Sequence, residues 1–438
     1  MRAAVIGLGV EGKKALKSLI KHGWTVYASD LNVNINLADL PIPLAGVQLD
    51  SKSERMGIVT DKITLDLGYN DTNEVNLCDA IVVSPSMWNS NIANIYKESG
   101  RLLCDVMNKH KDIYTIGVTG TNGKTTSVSM IKEILENAGK NVLVGGNGGG
   151  GFEGYYDLIL EANEKAEEID VILVEVCDMT VEFCKYFFDF DLIALTNVGN
   201  DHMNVHGSIE NYKNSLKKFF KDENIVIDKD QLFGEEFKKV AKSTIEYEAS
   251  NLNLNLFGNF NKLNAGLASK VAEGYNLDLK DNLEPINDEI IKNTLENFLP
   301  VLGRLEVLHL NDTKIYIGKS DNSDAVKSIL DEEDFYACFI GTPRLNENHR
   351  LDILNEVVKA NPEYIILFPG LEDNLDHCIL RLKSLDYDGK IEIANNLDEI
   401  IKFVAEFSHE PAILIGGNGQ QVIIKIQERL RQICASCN

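Results

Sequence analysis

The sequence predicts an α/β protein of three domains, in which apolar strands alternate with helices. Its 438 residues are enough for about three domains if each has ~150 residues. Near-continuous apolar runs, such as residues 171–174 and 192–195, are typical of strands buried in a parallel sheet. Two glycine-rich turns, at residues 7–12 and 120–123, each connect an apolar run to a helical pattern, as in this fold class.

We place the domains at residues 1–108, 109–298 and 299–438. Pro300 and Gly303 interrupt the chain at the second join. Beyond them the sequence predicts a Rossmann-like α/β domain, because strand patterns alternate with helical stretches. These strand patterns lie at residues 314–317, 336–340, 364–368, 390–393 and 413–415.

Charge and composition limit the classes of partner. The formal net charge of −24 disfavours nucleic acid and acidic membrane surfaces, because both are polyanions. The sequence has no run of 18 apolar residues that would predict a membrane span, and Met1 leads directly into a strand pattern rather than a signal peptide. The eight cysteines are scattered, unlike a disulfide framework. We therefore expect a cytoplasmic protein without membrane insertion.

The first glycine-rich turn has the spacing of a dinucleotide-type fingerprint. Gly7, Gly9 and Gly12 follow the apolar run 3–6, and the next predicted strand leads into Asp30. In such turns the glycines let phosphates approach the backbone, and the acid binds a ribose or a base edge. The alternative is a glycine turn that only packs a helix against a strand.

A further strand pattern of this domain, residues 80–83, is followed by Ser84-Pro85-Ser86. Open α/β sheets bind ligands at the carboxyl ends of their strands. We therefore predict a Rossmann-like first domain with Gly9, Gly12, Asp30 and Ser84 as candidate substrate-binding residues.

The second turn, Gly120-Thr121-Asn122-Gly123-Lys124-Thr125-Thr126, predicts a phosphate-binding loop. It lies between an apolar run at 113–118 and a helical pattern at 128–138. Backbone N–H groups and the helix N-terminus attract phosphate, a lysine reaches the outer phosphates, and a threonine hydroxyl can bind Mg²⁺. The usual P-loop spacing would place its first glycine at position 118, which is Val118. We predict an ATP site of an uncommon kind in a P-loop ATPase-like parallel sheet.

Polar residues follow the other predicted strands of the central domain. Glu175 ends one strand, Thr196 and Asn197 end the next, and Asp201 with His202 comes shortly afterwards. The carboxyl ends of parallel strands share one edge of a sheet, so these side chains are expected near the phosphate loop. A single histidine is by default structural, but this position favours a functional role.

The glycine-rich segment 145–151 contains Asn147 and follows the strand pattern 142–144. It can be a flexible linker or a backbone-lined substrate loop. In the second case Asn147 is a candidate substrate-binding residue.

Taken together, these motifs resemble the Mur ligase family, the ATP-dependent amide-forming enzymes of cell-wall peptide assembly, and their folylpolyglutamate synthetase relatives. The glycine-rich first domain and the chain length are most similar to the D-glutamate-adding member, whose first domain holds the UDP of a sugar–peptide substrate rather than NAD. The motifs cover nearly the whole chain in the family order. They are Gly120–Thr126, Glu175, Thr196-Asn197-Val198, Asp201-His202-Met203, Gly258–Ala265 and Gly303-Arg304.

The resemblance implies ATP and Mg²⁺ as cofactors and assigns roles to residues of the loop and the strand ends. Lys124 would neutralise the β- and γ-phosphates, and the other residues from Gly120 to Thr126 would surround the nucleotide. Thr125 and Thr126 would bind one Mg²⁺. Glu175 and His202 would bind a second, although an imidazole is a less usual ligand for this ion than a carboxylate.

Three residues outside this region also receive roles from the resemblance. Asn261 would contact adenine, and Arg304 would contact the phosphates from the domain hinge. Lys319 resembles the third-domain lysine that reaches the γ-phosphate when the domains close. An ordinary exposed lysine in a turn is the alternative for Lys319.

The sequence departs from the family pattern at three points. Many members carry a carbamylated, magnesium-binding lysine after the histidine motif, and Leu216 occupies that position; the adjacent Lys217 points about 100° away on a helix. Ile317 replaces the acid that usually holds the ATP ribose, and the Asp-x-Ala-His motif is absent. These departures indicate a divergent subfamily, such as one that builds archaeal pseudomurein peptide.

The resemblance implies an ATP-dependent ligase that forms an amide via an acyl phosphate and adds an amino acid to a UDP-linked murein or pseudomurein precursor. We expect a monomer whose partners are that sugar or peptide precursor and the amino acid, with no nucleic acid. The identities of the amino acid and the acceptor are left open. The alternatives are the same chemistry on a folate or tetrapyrrole carboxylate, a nucleotide-gated binding protein without turnover, and a nicotinamide oxidoreductase.

Overall fold

The computed structural model describes residues 1–41, 56–147, 151–277 and 285–437. The described part of the chain forms three sheets of five, seven and six strands, each flanked by helices. Residues 148–150 of the glycine-rich segment lie outside the described residues. The predicted α/β class with three successive units is confirmed.

The first sheet has the order β3-β4-β2-β1-β5, with β1 (Arg2–Ile6), β2 (Thr25–Asp30), β3 (Met56–Val59), β4 (Ile63–Leu67) and β5 (Ala80–Val83). All neighbours are parallel except β3 and β4. The helices that follow these strands along the chain are α1 (Val10–Lys21), α2 (Thr72–Asn76), α3 (Asn91–Lys97) and α4 (Leu103–Val106).

The central sheet is parallel throughout. Its strands are β6 (Tyr114–Thr119), β7 (Val142–Gly146), β8 (Glu153–Gly154), β9 (Val171–Glu175), β10 (Leu192–Leu195), β11 (Asn224–Asp228) and β12 (Ser243–Tyr247), in the order β12-β11-β10-β6-β9-β7-β8. Its helices are α5 (Lys124–Asn137), α6 (Tyr155–Glu164), α7 (Val181–Phe187), α8 (Met203–His206), α9 (Ile209–Phe220), α10 (Gly234–Lys238), α11 (Asn259–Leu277) and α12 (Asp288–Asn297).

The third sheet has one antiparallel edge pair. Its strands are β13 (Glu306–Leu310), β14 (Thr313–Ile317), β15 (Ala337–Gly341), β16 (Tyr364–Phe368), β17 (Lys390–Ile393) and β18 (Ala412–Gly417), in the order β13-β14-β18-β15-β16-β17. Its helices are α13 (Ser323–Leu330), α14 (Ile353–Ala360), α15 (Leu375–Ser384), α16 (Leu397–Glu406) and α17 (Gln420–Cys437).

The central sheet positions the phosphate loop. β6 pairs with β9 on one side and with β10 on the other, so the carboxyl ends of these three strands meet at one edge. Ile116 and Val118 of β6 are fully buried against apolar residues of α5 and α11. This packing fixes the strand from which the loop leaves the sheet.

The first and central units share one apolar core. The Trp88 ring lies 5.4 Å from those of Phe183 and Phe187, and the Tyr156 hydroxyl donates to the Val83 carbonyl at 2.6 Å. An aromatic side chain of this kind buries about 150–250 Å². The first sheet is therefore held against the central unit by a substantial apolar contact.

Two expectations from composition can be compared with the structure. None of the helices within the described ranges is both long and apolar enough to cross a bilayer. The seven cysteines whose side chains are described are free, and all seven are buried.

Candidate active site

The phosphate loop connects β6 to α5 and consists of residues 120–123. Gly120 and Gly123 have φ angles of +128° and +84°, a region that favours glycine. A Cβ at Gly120 would lie 2.2 Å from Thr196 Oγ1, and one at Gly123 would lie 2.4 Å from Asn264 Oδ1. Both glycines are therefore required by close neighbours as well as by backbone conformation.

Two side chains hold this loop. Asn197 at the end of β10 accepts from the backbone N–H of Asn122 and donates to its carbonyl, each at 3.0 Å. The Lys124 ammonium folds back over the loop and donates to the carbonyls of Gly120 at 2.5 Å and Thr121 at 2.9 Å. The positive charge therefore lies within the loop rather than in an ion pair with a carboxylate.

Thr125 contacts two other predicted residues, one of which contacts a third. Its Oγ1 donates to Glu175 Oε2 at 2.8 Å and accepts from Arg304 Nη2 at 2.6 Å. The Asn147 amide donates to the other oxygen of Glu175 at 3.1 Å. Glu175 is buried, so its charge is shielded from bulk water. Residues from the central sheet and from the third unit thus meet at one hydroxyl.

His202 belongs to a second cluster, whose centre is Asp178. His202 Nδ1 lies 3.1 Å from both Asp178 oxygens, and His206 Nε2 lies 2.8 Å from Oδ2. His202 has a left-handed φ of +51°, a strained conformation that is uncommon outside glycine. Asp178 and His206 were not predicted as site residues, although Asp178 follows Glu175 by three positions and His206 is one helical turn from His202.

The charges of this cluster stabilise one another. Burial alone would raise the pKa of Asp178, but hydrogen bonds with both histidines and the Lys124 charge hold it well below its usual range. Burial would lower the pKa of His202, but the hydrogen bond with Asp178 and the negative charges of Asp178 and Asp201 raise it above 6.5. The nearby Cys177 thiol stays protonated because burial raises its pKa.

We expect Asp178→Asn to reduce stability in a pH-dependent way. Because folding raises the pKa of His202, its ion pair stabilises the fold below pH 6.5, and this contribution is lost as the pH rises through the raised value. Thermal denaturation should therefore show a larger Tm difference between wild type and variant at about pH 6 than at about pH 9.

The control for this variant is Asp312→Asn, which removes an exposed carboxylate 3.5 Å from His409. We expect only a small Tm change from it, because exposed ion pairs contribute little. A Tm difference for Asp178→Asn that is the same at every pH would show that His202 is not charged in this pair.

The third unit contacts the phosphate loop through the segment that contains Lys319. The side-chain amides of Asn322 and Asn122 donate to each other at 2.9 and 3.2 Å, and Asp324 accepts from the backbone N–H of Asn200 at 2.9 Å. Lys319 itself forms an ion pair with Asp321 at 3.0 Å. The segment therefore bridges the central and third units.

Asp321 also pairs with Arg350, whose Nη1 lies 2.5 Å from its Oδ2. Arg350 Nη2 lies 3.9 Å from Asp201 Oδ1, which extends the network to the segment that carries His202. Arg350 was not predicted as a site residue. It lies far from the motifs in sequence, in a helical stretch without a motif of its own.

Asn261 lies behind the loop at the start of α11. Its Nδ2 donates to the Phe257 carbonyl at 2.8 Å, and its Oδ1 accepts from Asn264 at 3.1 Å. Asn264 also accepts from Ser127 of α5 at 3.2 Å. These contacts orient the Asn261 amide and connect it to the helix that begins at Lys124.

Leu216 lies on the apolar side of α9, fully buried in the core with Tyr212 and Phe220. Lys217 pairs with Glu236 at 3.1 Å, and so does Lys213. None of these α9 residues lines the cavity described below. The helix therefore presents an apolar side chain to the core at Leu216, the position that we predict to correspond to the modified lysine.

The four predicted residues of the first unit lie around its own glycine-rich turn. A Cβ at Gly12 would lie 1.9 Å from the Gly7 carbonyl oxygen, whereas one at Gly9 would lie 3.6 Å from Ser84 Oγ. Asp30 accepts from the backbone N–H of Leu8 at 2.6 Å. Gly12 is thus required by helix–strand packing, Asp30 supports the turn, and Gly9 leaves space beside Ser84.

A cavity of about 800 Å³ lies between the central and third units, which is within the range of small-molecule sites. The four first-unit residues and Gly120 are not part of its lining. The predicted residues that line it are Thr121, Asn122, Gly123, Lys124, Thr125, Thr126, Asn147, Glu175, His202, Asn261, Arg304 and Lys319.

The sequence around this cavity matches a known family. Residues 118–257 of this chain are a match to the family model described as the Mur ligase middle domain. The matched residues include the phosphate loop, Glu175 and His202.

Two curated proteins to which this chain is similar are UDP-N-acetylmuramoylalanine–D-glutamate ligases. The protein from Desulfotalea psychrophila is 28% identical over 224 residues, which are 50% of this chain and 44% of the relative. The protein from Clostridioides difficile is 22% identical over 444 residues, which are 94% of this chain and 92% of the relative. The chain thus spans less than half of the first relative and most of the second.

The fold is similar to that of a pseudomurein peptide ligase over nearly the whole chain. The solved structure of a pseudomurein peptide ligase type C from Methanothermus fervidus covers 99% of both chains with a TM-score of 0.56 and 18% identity. At this identity the similarity concerns the fold. Together with the middle-domain match, it confirms the resemblance to the Mur ligase family.

Proposed function

We propose that this chain is an ATP-dependent ligase that attaches an amino acid to a UDP-linked murein or pseudomurein precursor through an amide bond. The observation that carries the proposal is one cavity lined by Lys124 and Thr125 of the phosphate loop, by Glu175, and by Arg304 of the third unit. The names of the relatives support it, since the two aligned curated proteins are muramoylalanine–D-glutamate ligases.

The loop and its surroundings suit ATP. Thr121, Asn122 and Gly123 of the loop line the cavity. Lys124 supplies a positive charge whose hydrogen bonds, among the described residues, go to carbonyls. Arg304 Nε is buried and has no hydrogen-bond partner among the described residues. An unpaired buried donor costs about 1–3 kcal/mol. A phosphate oxygen that accepts a hydrogen bond from Arg304 Nε would remove this cost.

The residues beside the loop also suit Mg²⁺, which supplies charge neutralisation at the phosphates when bound. Two ligands at a right angle around an ion, each ~2.1 Å from it, lie roughly 3 Å apart. Thr125 Oγ1 and Glu175 Oε2 lie 2.8 Å apart, and both are hard oxygen donors. For a second ion we propose Glu175 and His202 with solvent ligands, since Leu216 offers none.

The proposed reaction activates a carboxylate, which is a poor acyl donor because its displacement would release oxide. A carboxylate oxygen of the substrate attacks the γ-phosphorus of ATP, and the bond between that phosphorus and the ADP oxygen breaks. The amine of the incoming amino acid then attacks the acyl carbon, loses a proton, and phosphate leaves. The products are an amide, ADP and phosphate.

Positioning and charge neutralisation would supply most of the rate. Lys124 and Arg304 approach the cavity from two different units, so both charges meet at the phosphates only when these units are in contact. Lys319 of the third unit also lines this cavity. We propose that it joins them by exchanging its partner Asp321 for the γ-phosphate.

The proposal is tested by phosphate release from ATP across a panel of UDP-linked sugar peptides crossed with amino acids. Release that requires both substrates, with the amide product seen by mass spectrometry, supports it. A dihydropteroate and glutamate arm tests the folate alternative. Nucleotide binding without release in any arm would favour a binding protein without turnover.

We further propose that the first unit binds the UDP group of the substrate and does not use NAD. ATP already has a candidate site in the central unit, which leaves the Gly7–Gly12 turn for the phosphates of the substrate. The space beside Gly9 and Ser84 suits a backbone approach by a diphosphate.

We expect Gly9→Asp to weaken the binding of a UDP-sugar by roughly tenfold or more, because like charges at an interface repel. A Cβ at Gly9 makes only ordinary contacts within the protein, so the fold should be retained. Calorimetry with a UDP-sugar and with NADH measures both affinities. Gly9→Asn is the uncharged control, because the asparagine side chain has nearly the same shape as that of aspartate. Tight NADH binding without UDP-sugar binding would overturn the assignment.

A further inference from the structure

A separate cluster of ionisable side chains lies where α1 of the first unit packs against α6 of the central unit. His22 follows the last residue of α1, and Asp157, Glu161 and Glu164 lie on α6. Spacings of four and three residues put the three carboxylates on one helical face. The cluster is at the end of α1 opposite the glycine-rich turn, about 18 Å along a helix of this length.

The geometry of His22 is unusual for a salt bridge. Its Nδ1 lies 2.8 Å from Glu164 Oε1, while its Nε2 faces Asp157 Oδ1 at 3.7 Å and Glu161 Oε2 at 3.8 Å. The His22 side chain is only 5% exposed. Its Nε2 is buried and has no hydrogen-bond partner among the described residues.

This arrangement selects one tautomer of the ring. Glu164 accepts only from a protonated Nδ1, so a neutral His22 carries its lone pair on Nε2. That lone pair then faces two carboxylate oxygens, which is unfavourable unless a cation lies between them. A histidine that donates one ring N–H to a carboxylate and uses the other nitrogen as a ligand is a recurring feature of metal sites.

The three facing atoms have the separations of ligands around one ion. His22 Nε2 and one oxygen each of Asp157 and Glu161 all lie within 4.8 Å of one another. Ligand atoms ~2.0–2.2 Å from a zinc ion lie roughly 3–4 Å apart, so small side-chain movements would close the site. An imidazole with two carboxylates suits zinc and similar divalent transition metals better than magnesium.

We propose that His22, Asp157 and Glu161 bind one divalent transition-metal ion of the zinc class, with Glu164 orienting His22. The ion would join α1 to α6 and so fix the first unit, with its glycine-rich turn, against the central unit. It would be separate from the cavity of the candidate active site.

Other polar groups around the cluster contact the same carboxylates, and the ion would share these oxygens with them or displace them. The Lys165 ammonium forms an ion pair with Glu161 Oε1, the oxygen that does not face His22, at 2.5 Å. The Ser18 hydroxyl donates to Asp157 Oδ1. Lys21 Nζ lies 3.5 Å from Asp157 Oδ1 and 3.8 Å from Glu161 Oε2. The Lys21 side chain is 58% exposed, so it can turn into solvent when the ion binds.

The test is equilibrium dialysis of the full chain against Zn²⁺ without nucleotide. Wild type should bind one equivalent more than His22→Gln, and Zn²⁺ should raise its Tm more. Glu164→Gln should keep the site but weaken its affinity about 10–100-fold, as expected for an outer-shell partner. A second candidate zinc cluster consists of Cys177, Asp178 and His202. Zinc bound there would be equal in wild type, His22→Gln and Glu164→Gln, so it would not change the difference in zinc stoichiometry between them.

His409→Gln is the matched control, because His409 is exposed and, in the part of the chain that the structure describes, pairs with the single carboxylate of Asp312. It should bind as much zinc as wild type. If His22→Gln does not fold, Glu161→Gln takes its place, because Glu161 is partly exposed and its substitution should leave the fold intact. Glu161→Gln should then lose the same equivalent of zinc. Equal zinc stoichiometry in wild type and the folded variants would overturn the proposal.

Discussion

Lys124→Met is expected to lower the turnover of ATP-dependent ligation by about 10²–10³-fold, the usual effect of removing one group that stabilises charge in the transition state. Among the described residues, the hydrogen bonds of the Lys124 ammonium go to the carbonyls of its own loop. Its loss therefore breaks no ion pair of the fold, and the Tm should change little. Phosphate release and thermal denaturation measure the two effects separately.

The control for this variant is Lys132→Met on the same helix. Lys132 pairs with Glu136 at 3.1 Å on the surface, and such exposed pairs contribute less than about 1 kcal/mol. Its turnover should equal that of wild type. Near-wild-type turnover of a folded Lys124→Met protein would show that the loop is not the ATP site.

The strands of the third unit show which part of a fold can be predicted from sequence. The predicted strand 364–368 agrees with β16 (Tyr364–Phe368), and 413–415 lies within β18 (Ala412–Gly417). Both are buried parallel strands, so they appear as apolar runs. β13 (Glu306–Leu310) was not predicted, because this edge strand is mostly half-exposed and has no such run.

A signal for β13 was nevertheless present in the sequence. Asn311 and Asp312 form the two-residue turn between β13 and β14, and Asn311 has a φ of +52°. Asparagine tolerates this left-handed conformation better than most residues. An Asn-Asp pair before the apolar run of β14 therefore indicated a hairpin.

The candidate site was predictable where its residues are adjacent in sequence. The phosphate loop is local, because one strand, one turn and one helix determine it. The network around His202 is not local. Asp178 comes from the segment after β9, and Arg350, which lies 3.9 Å from Asp201, comes from the third unit. Parallel strands bring such residues together through crossovers, and single-sequence patterns do not show which polar residues then meet.

The first glycine-rich turn illustrates a different limit. The spacing of Asp30 suggested an acid that faces a ligand, whereas its carboxylate accepts from the backbone N–H groups of Leu8 and Asn32. The same residue pattern thus serves the conformation of the turn. Whether Asp30 also contacts a substrate stays a prediction.

Arg304→Met is the second variant from which we expect a large loss, about 10²–10³-fold in kcat. Arg304 reaches from the third unit to Thr125 Oγ1 at 2.6 Å and keeps a buried, unpaired Nε. ATP can still bind the loop of the central unit without it, so the KM for ATP should change less than kcat. Steady-state kinetics in which ATP is varied while the other substrates are saturating measures kcat and the KM for ATP separately. Arg429→Met, on the exposed face of α17, is the control with an unchanged kcat.

Arg304→Lys distinguishes charge from geometry at this position. A lysine keeps the positive charge but cannot donate to Thr125 and to a phosphate oxygen at once in the planar arrangement of a guanidinium. If both contacts matter, the lysine variant should recover only part of the lost kcat. Full recovery would mean that charge alone suffices. A kcat unaffected in both variants would mean that the contact with Thr125 only joins the two units, and the proposed role of Arg304 at the phosphates would be wrong.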